Sequence, residues 1–340
     1  MRLTELTAQG GCSAKISQGD LAEILAGIAS PPDRDLLVAA STMDDAAVYR
    51  ISDEVALVAT TDFFPPPVDD PRDYGAIATA NALSDVYAMA GTPLLLLNLV
   101  GFDLASLDPE VLRAILDGGA EVAAEAGCLV AGGHSIRTAE PLFGCAVLGR
   151  VNPQRVVTNA GARAGDLLFL TKPLGTGVVL NAHKLQAVGD SVLAPAVQSM
   201  RQLNRAAADA MVLADASAAT DVTGFGLLGH LQNLAEASRV RVRVRSADLP
   251  LLPGARRLVS EGRVPGGSRR NLELARAITA IDPKVPDDLL VLACDAQTSG
   301  GLLITVDGRG AGRLRERLPS AQLIGEVLPP GRDQPILELV

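Results

Sequence analysis

Residues 44–62 read DDAAVYRISDEVALVATTD, and this stretch decides the fold. Two apolar, β-branched runs, 46–51 and 55–61, flank Ser52-Asp53-Glu54, the pattern of two strands joined by a short turn. A hairpin centred on Asp53 pairs Asp45 with Thr61 and Asp44 with Asp62. Three carboxylates then meet at one end of a sheet. Pro65, Pro66 and Pro67 end the second strand, because proline has no N–H to give a ladder.

Downstream, the spacing predicts a helix over 73–90 with Leu83, Val86, Tyr87 and Ala90 as its apolar stripe. Asn81 and Asp85 lie four apart and share another face. A strand at 94–100, a helix at 109–126, a strand at 128–131 running into Gly132-Gly133-His134-Ser135, and a strand at 143–151 complete the first half. Upstream, residues 1–19 are polar and glycine-bearing and read as a mobile segment. Asp20 caps an expected helix through Leu21, Ile24, Leu25 and Ile28. Small and polar residues at 156–166 mark a boundary, so the domains are predicted as 20–155 and 156–340. The second half is read as a strand at 167–171, helices at 194–214 and 226–238, a strand at 239–245, a helix near 271–280, and strands at 302–306 and 322–327. Strands and helices mix without regular βαβ alternation, which points to α+β.

With 340 residues, 48% of them hydrophobic, the chain has the material for a large core in two domains. Six Phe, three Tyr and no Trp leave that core to Leu, Val, Ile and Ala. A formal net charge of −9 argues against nucleic acid or an anionic membrane as the main partner. The longest apolar stretch, Leu94 to Val100, is far short of a bilayer span. Four cysteines without close pairing, and no secretory leader, indicate a reducing cytoplasm. Cys128, Cys145 and Cys294 sit in apolar runs as core residues.

The chemistry lies in the acidic positions Asp44, Asp45, Asp62, Asp85 and Asp221. Brought together, their charges repel unless a cation joins them. A hard ion such as Mg²⁺ takes oxygen ligands and brings phosphates with it. Each Asp alone also fits a strand-end cap or a solvated edge. Cys12 stands three residues before Lys15. The lysine either lowers the thiol pKa or meets a phosphate as a point charge, and a loose segment offers nothing to bury the thiol. Gly132–Ser135 and Thr298–Gly301 are either anion-binding nests or plain turns. Residues 224–229, GFGLLG, match G-x-G-x-x-G, but Ser217–Asp221 before them is not an apolar strand. The strand after them alternates Arg239, Arg241, Arg243 and Arg245 with valines, giving one wet face, so the dinucleotide reading is rejected. No Walker loop occurs.

In order along the chain stand GGCSAK at 10–15, DDAAVY at 44–49, TTDFF at 60–64, ANALSDVYAM at 80–89, AGGHS at 131–135, DVTGFGLLGH at 221–230, VPGG at 264–267 and QTSGGL at 297–302. From Leu3 to about Val327 this set closely resembles the selenophosphate synthetases (selenide, water dikinases). The resemblance implies the two-domain fold shared with aminoimidazole ribonucleotide synthetases, and a homodimer with ATP near the subunit interface. It implies that ATP, selenide and water give selenophosphate, AMP and phosphate. By motif match, Asp45, Asp85 and Asp221 are expected to hold Mg²⁺. Cys12 matches the catalytic Cys/Sec position and Lys15 the essential lysine. Asp62 and Thr42-Met43-Asp44 are expected to border the nucleotide and its metals, and Gly133, His134 and Ser135 to contact nucleotide from the partner subunit. One departure stands out: many members carry a second Cys just before the lysine, and here that position is Ala14. Rival readings are an aminoimidazole ribonucleotide synthetase, a thiamine-phosphate kinase, or a non-catalytic nucleotide or selenium carrier.

Overall fold

Helix α1 (Pro71–Ala88) organises the molecule. Asp70 caps it by accepting the Asp73 N–H at 2.8 Å, and Pro71 fills the first turn, where a missing N–H costs nothing. The computed structural model describes residues 2–16, 24, 33–39, 43–331 and 334–340. The helix expected near 20–28 lies outside these apart from Ile24. The stripe expected on α1 is only part of its buried surface: residues from Tyr74 to Ala88 are buried on every side except at Asp85. One flank of α1 packs on the first sheet and on helix α2 (Pro109–Ala126), the other on the second half of the chain. Small residues make this possible. A Cβ on Gly75 would lie 1.8 Å from the Ile115 carbonyl oxygen, and one on Gly118 would lie 2.0 Å from that of Arg72.

The first sheet contains β1 (Leu36–Val38), β2 (Ala47–Arg50), β3 (Ala56–Phe64), β4 (Thr92–Gly101), β5 (Leu129–Ile136) and β6 (Leu142–Val151) in the order β1-β2-β3-β6-β4-β5. Only β4 and β5 run parallel. The hairpin register is the expected one: Val48 faces Val58 and Ala47 faces Ala59. The second sheet contains β7 (Leu167–Leu170), β8 (Ala218–Asp221), β9 (Arg241–Val244), β10 (Thr279–Ile281), β11 (Leu302–Val306), β12 (Gln322–Leu328) and β13 (Leu337–Leu339), ordered β10-β13-β9-β12-β7-β11-β8. Around it lie α3 (Thr176–Lys184), α4 (Asp190–Arg201), α5 (Arg205–Leu213), α6 (Gly226–Ser238), α7 (Gly266–Ile278) and α8 (Gly308–Arg317), with two shorter helices. Both sheets are mixed but mainly antiparallel, an α+β arrangement.

Four expectations change. The helix expected over 194–214 is two helices, α4 and α5, with Asn204 in the break donating to the Gly300 carbonyl at 2.9 Å. Ser217–Asp221 does hold a strand: β8 is wholly buried although it ends in Thr220 and Asp221. Its neighbour is antiparallel β11, so the dinucleotide topology is still absent. Gly132–Ser135 is part of β5 and forms no turn. The first residues are the fourth change. Over 2–16 the segment drawn as a loose arm is folded against the body: Lys184 donates to the carbonyls of Thr7 and Ala8, and Arg2 pairs with Asp69 at 2.7 Å.

The arginine ladder of β9 is as expected. Val242 and Val244 are buried, while Arg241 and Arg243 pair with Glu338. Among the described residues no helix is long and apolar enough to cross a membrane.

The α1–α2 approach has a direct test. Gly118→Ala forces a methyl against backbone that cannot retreat, and should cost about 1–3 kcal/mol in urea unfolding; Gly312→Ala, which meets nothing within 4 Å, serves as the control.

Candidate active site

The hairpin delivers Asp45, α1 delivers Asp85, and the buried end of β8 delivers Asp221. One carboxylate oxygen from each lies within 4.8 Å of the others. At that spacing, like charges repel by about 3–4 kcal/mol per pair at an effective dielectric near 20. The surroundings compensate only in part. The Thr60 hydroxyl donates to Asp85 Oδ2 at 2.6 Å, and the Thr220 hydroxyl to Asp45 Oδ1 at 2.8 Å. Among the described residues, Asp45 Oδ2 and Asp221 Oδ2 are buried without a hydrogen-bond partner. Burial first, and then the charge of Asp221, push Asp45 and Asp85 well above the ordinary carboxylate range. Burial also raises Asp221, against a hydrogen bond from Ser84 and the charge of Lys15. Two orphaned anionic oxygens among three converging carboxylates are the donor set that a hard, oxygen-seeking cation fits.

One turn earlier on α1, Asn81 reaches the N-terminal arm. Its Nδ2 donates to Asp62 Oδ2 at 2.6 Å, and its Oδ1 accepts from the Cys12 thiol at 3.4 Å and from the Ser299 N–H at 3.0 Å. Lys15 Nζ bridges to Asp62 Oδ2 at 2.9 Å. The same-face reading of Asn81 and Asp85 therefore holds, with one residue serving the arm and the other the carboxylates. Cys12 lies in a short turn, Gly11–Ala14, and is 1% exposed. This corrects the expectation that nothing could bury it. Its N–H donates to Thr298 Oγ1 at 3.1 Å, and Gly11, at φ +60°, passes so close that a Cβ would lie 2.3 Å from the same oxygen. Burial pushes the thiol up to about 12, and Lys15 offsets this only partly. Lys15 itself keeps its charge: burial opposes it, but Asp62 and Cys12 hold it well above the usual lysine value. In this arrangement the lysine pairs with Asp62, and its charge lowers the thiol pKa without overcoming burial. Ala14 is exposed.

The other expected positions separate. Asp44 does not join the three; its Oδ1 accepts the Asn159 N–H at 2.6 Å, while Asn159 Nδ2 donates to the Met43 carbonyl at 2.8 Å. Asp62 joins the arm. The three carboxylates that converge are thus Asp45, Asp85 and Asp221, and the hairpin's own trio is split. Thr42 lies outside the described residues. Gly133, His134 and Ser135 are exposed on β5, the open edge of the first sheet. Gly133 is needed there for packing, since a Cβ would lie 2.2 Å from the Asn98 carbonyl oxygen. The Thr298–Gly301 segment is a buried loop before β11, and Ser299 holds φ +49°, a left-handed conformation costing about 1–2 kcal/mol for a residue with a Cβ.

Sequence reasoning missed Thr60, Thr220, Asn204 and Lys172. The first was findable: residues 56, 58, 60, 62 and 64 share the inner face of β3, so Thr60 stands beside Asp62 by simple alternation. Lys172 carries no local signal. It is 5% exposed and donates to two carbonyl oxygens, and burial pulls it down to about 7 against the charge of Asp221.

Residues 43–151 match the family model for the N-terminal domain of AIR synthase related proteins, and 163–338 the model for the C-terminal domain. The chain is 49% identical over 298 residues to a selenide, water dikinase of Porphyromonas gingivalis, covering 88% of this chain and 85% of that one. It is 46% identical over 332 residues to the selenide, water dikinase of Myxococcus xanthus, covering 96% and 94%. Its fold matches that of the hydrogenase maturation protein HypE in complex with ATP, with a TM-score of 0.65 at 18% identity, over 100% of this chain and 95% of that one.

The raised carboxyls set a pH dependence. A carboxyl raised in the folded chain contributes most below its unfolded value of about 4, and that contribution is lost as pH rises. A divalent cation should reverse the loss where the carboxyls must ionise. A divalent cation bound at the three carboxyls should raise the melting temperature by about 5 °C or more near pH 8, and by less than half of that near pH 5.5. Asp221→Asn should remove the difference, as scanning calorimetry would show.

Proposed function

The chain belongs to the selenide, water dikinases, and we propose that its converging aspartates and its thiol arm together turn ATP, selenide and water into selenophosphate, AMP and phosphate. The observation that carries this reading is the meeting of Asp45, Asp85 and Asp221 one helical turn from the residue that holds Cys12. Asp45, Asp85 and Asp221 would hold Mg²⁺, which when bound neutralises triphosphate charge and polarises the phosphoryl groups.

The chain's own residues do the rest by position and charge, since phosphoryl transfer asks for little covalent help. Lys15 sits on Asp62 beside the carboxylates. A phosphate arriving there competes with Asp62 for the ammonium, which then adds positive charge where selenide attacks. Cys12 is the catalytic thiol of the arm, held protonated and out of water until the arm moves. The docked arm keeps bulk water from the first transfer, and its opening admits water for the second cleavage. Asp62 and the segment Thr42-Met43-Asp44 border the nucleotide. Asn159, which clasps both Met43 and Asp44, ties that border to 156–166, the segment we take as the domain boundary.

A second copy of the chain completes the site in this reading. Among the described residues the β5 edge has no strand partner, and it carries Leu129, Val130 and Ile136 at 70%, 44% and 55% exposure, an apolar edge of the kind that pairs with another chain. Dimerisation there would present Gly133, His134 and Ser135 to the partner's nucleotide. Four free cysteines fit a reducing cytoplasm.

Anaerobic incubation with ATP, Mg²⁺ and selenide, followed by ³¹P NMR, should show a P–Se resonance together with AMP. ADP as the final nucleotide product would instead mark an ordinary kinase. Deleting residues 1–18 should abolish selenide-dependent turnover and leave nucleotide affinity within about threefold; an equal loss of both would contradict the gating role. Light scattering should give twice the 35.1 kDa chain mass, and Val130→Lys should return it to that of the monomer.

A further inference from the structure

Lys172 is a buried amine that the reaction outlined above leaves unused. It follows β7, and its Nζ donates to the carbonyl of Gln202, in the break between α4 and α5, at 2.6 Å and to the carbonyl of Ser299 at 2.9 Å. Ser299 is therefore gripped at both ends, its carbonyl by Lys172 and its N–H by Asn81 Oδ1. That grip holds a serine at φ +49°, where only glycine rests without strain. The Ser299 hydroxyl is buried and has no hydrogen-bond partner, so the side chain does not explain why the strained conformation persists. Strain of this kind survives where surrounding groups over-determine it, and such places cluster at functional sites.

The loop so held is the floor under the thiol. Thr298 Oγ1 takes the Cys12 N–H, and Asn81 Oδ1 takes both the Cys12 thiol and the Ser299 N–H. Space is closed on the other side, because a Cβ on Gly301 would lie 2.3 Å from the Lys172 backbone nitrogen. A shift of Ser299 would therefore withdraw a donor from the oxygen that the Cys12 thiol bonds and disturb the neighbouring Thr298 that holds the Cys12 N–H.

We propose that Lys172 is a positioning residue: by fixing strained Ser299 it sets the pose of Cys12 on Asn81, and so governs the selenide step rather than nucleotide binding. This rests on the reading of Cys12 as the catalytic thiol.

The test compares Lys172→Met and Lys172→Arg in the full chain by three measurements: selenide-dependent AMP formation, affinity for a non-hydrolysable ATP analogue with Mg²⁺, and the rate of Cys12 alkylation by iodoacetamide read by mass spectrometry. In Lys172→Met, kcat should fall about 100-fold, the cost of a displacement near 1 Å at the reacting group. Nucleotide affinity should stay within about threefold. Alkylation should accelerate about tenfold as the strained loop relaxes. Lys172→Arg, which keeps N–H donors for the two carbonyls, should recover part of both effects. Wild-type kcat and alkylation in Lys172→Met would overturn the proposal. So would a fall in turnover that matches a fall in nucleotide affinity and melting temperature, the mark of a merely structural lysine. If Lys172→Met does not fold, adding Ser299→Gly removes the strain that the lysine restrains; near wild-type turnover and alkylation in that double variant then support the proposal, and a loss of turnover matched by a loss of nucleotide affinity overturns it. If the wild-type chain forms no AMP in response to selenide, the reading of the reaction fails, while the alkylation comparison still decides whether Lys172 controls the thiol.

Discussion

The structure is organised around a repulsion it does not relieve by itself. Asp45, Asp85 and Asp221 approach within 4.8 Å in a setting with little water and too few donors. Folding places them there because each is anchored by apolar packing elsewhere: Asp45 by the hairpin, Asp85 by a helix buried on nearly every side, Asp221 by a fully buried strand at the edge of the second sheet. The cost of gathering the charges is met by the cores on either side of α1. The cluster is therefore gathered by the fold itself, without a loop that must close first. The two halves of the chain share α1 as a common wall, so a change in the packing of one is felt by the carboxylates of both.

Features carried by local pattern were legible in the sequence. The register of the β2–β3 hairpin follows from where Ser52-Asp53-Glu54 must turn. The helix at 109–126 is bounded by its own punctuation, an Asp-Pro start and a Gly at φ +68°. The burial of α1 was not legible, because its second partner surface comes from more than a hundred residues downstream. Nor was β8, whose Thr220 and Asp221 read as a polar loop until β11 is laid beside them. Gly132-Gly133-His134-Ser135 looks like a turn because glycines usually mark one; here Gly133 lets two parallel strands approach.

The site shows the same division. Residue types picked out five acidic positions, Asp44, Asp45, Asp62, Asp85 and Asp221; only the family resemblance narrowed them to Asp45, Asp85 and Asp221, the three the structure brings together. Cys12 was picked out as well, but its environment was misread, since a polar, glycine-rich stretch gives no local sign that Asn81, Thr298 and Ser299 will enclose it. Lys172 was invisible for the same reason. A lysine after an apolar strand looks like an ordinary surface cation, and only the fold reveals the two carbonyls waiting for it.

Ala14 has a consequence for the lifetime of the protein. It faces solvent in the turn where Cys12 faces inward, and Cys128, Cys145 and Cys294 are themselves buried and free. A sulfenic acid formed on Cys12 has no second sulfur in its own turn with which to condense into a disulfide. Its repair then depends on a soluble reductant working its way beneath the turn, so the seclusion that guards the thiol from oxidants also slows its rescue once damaged.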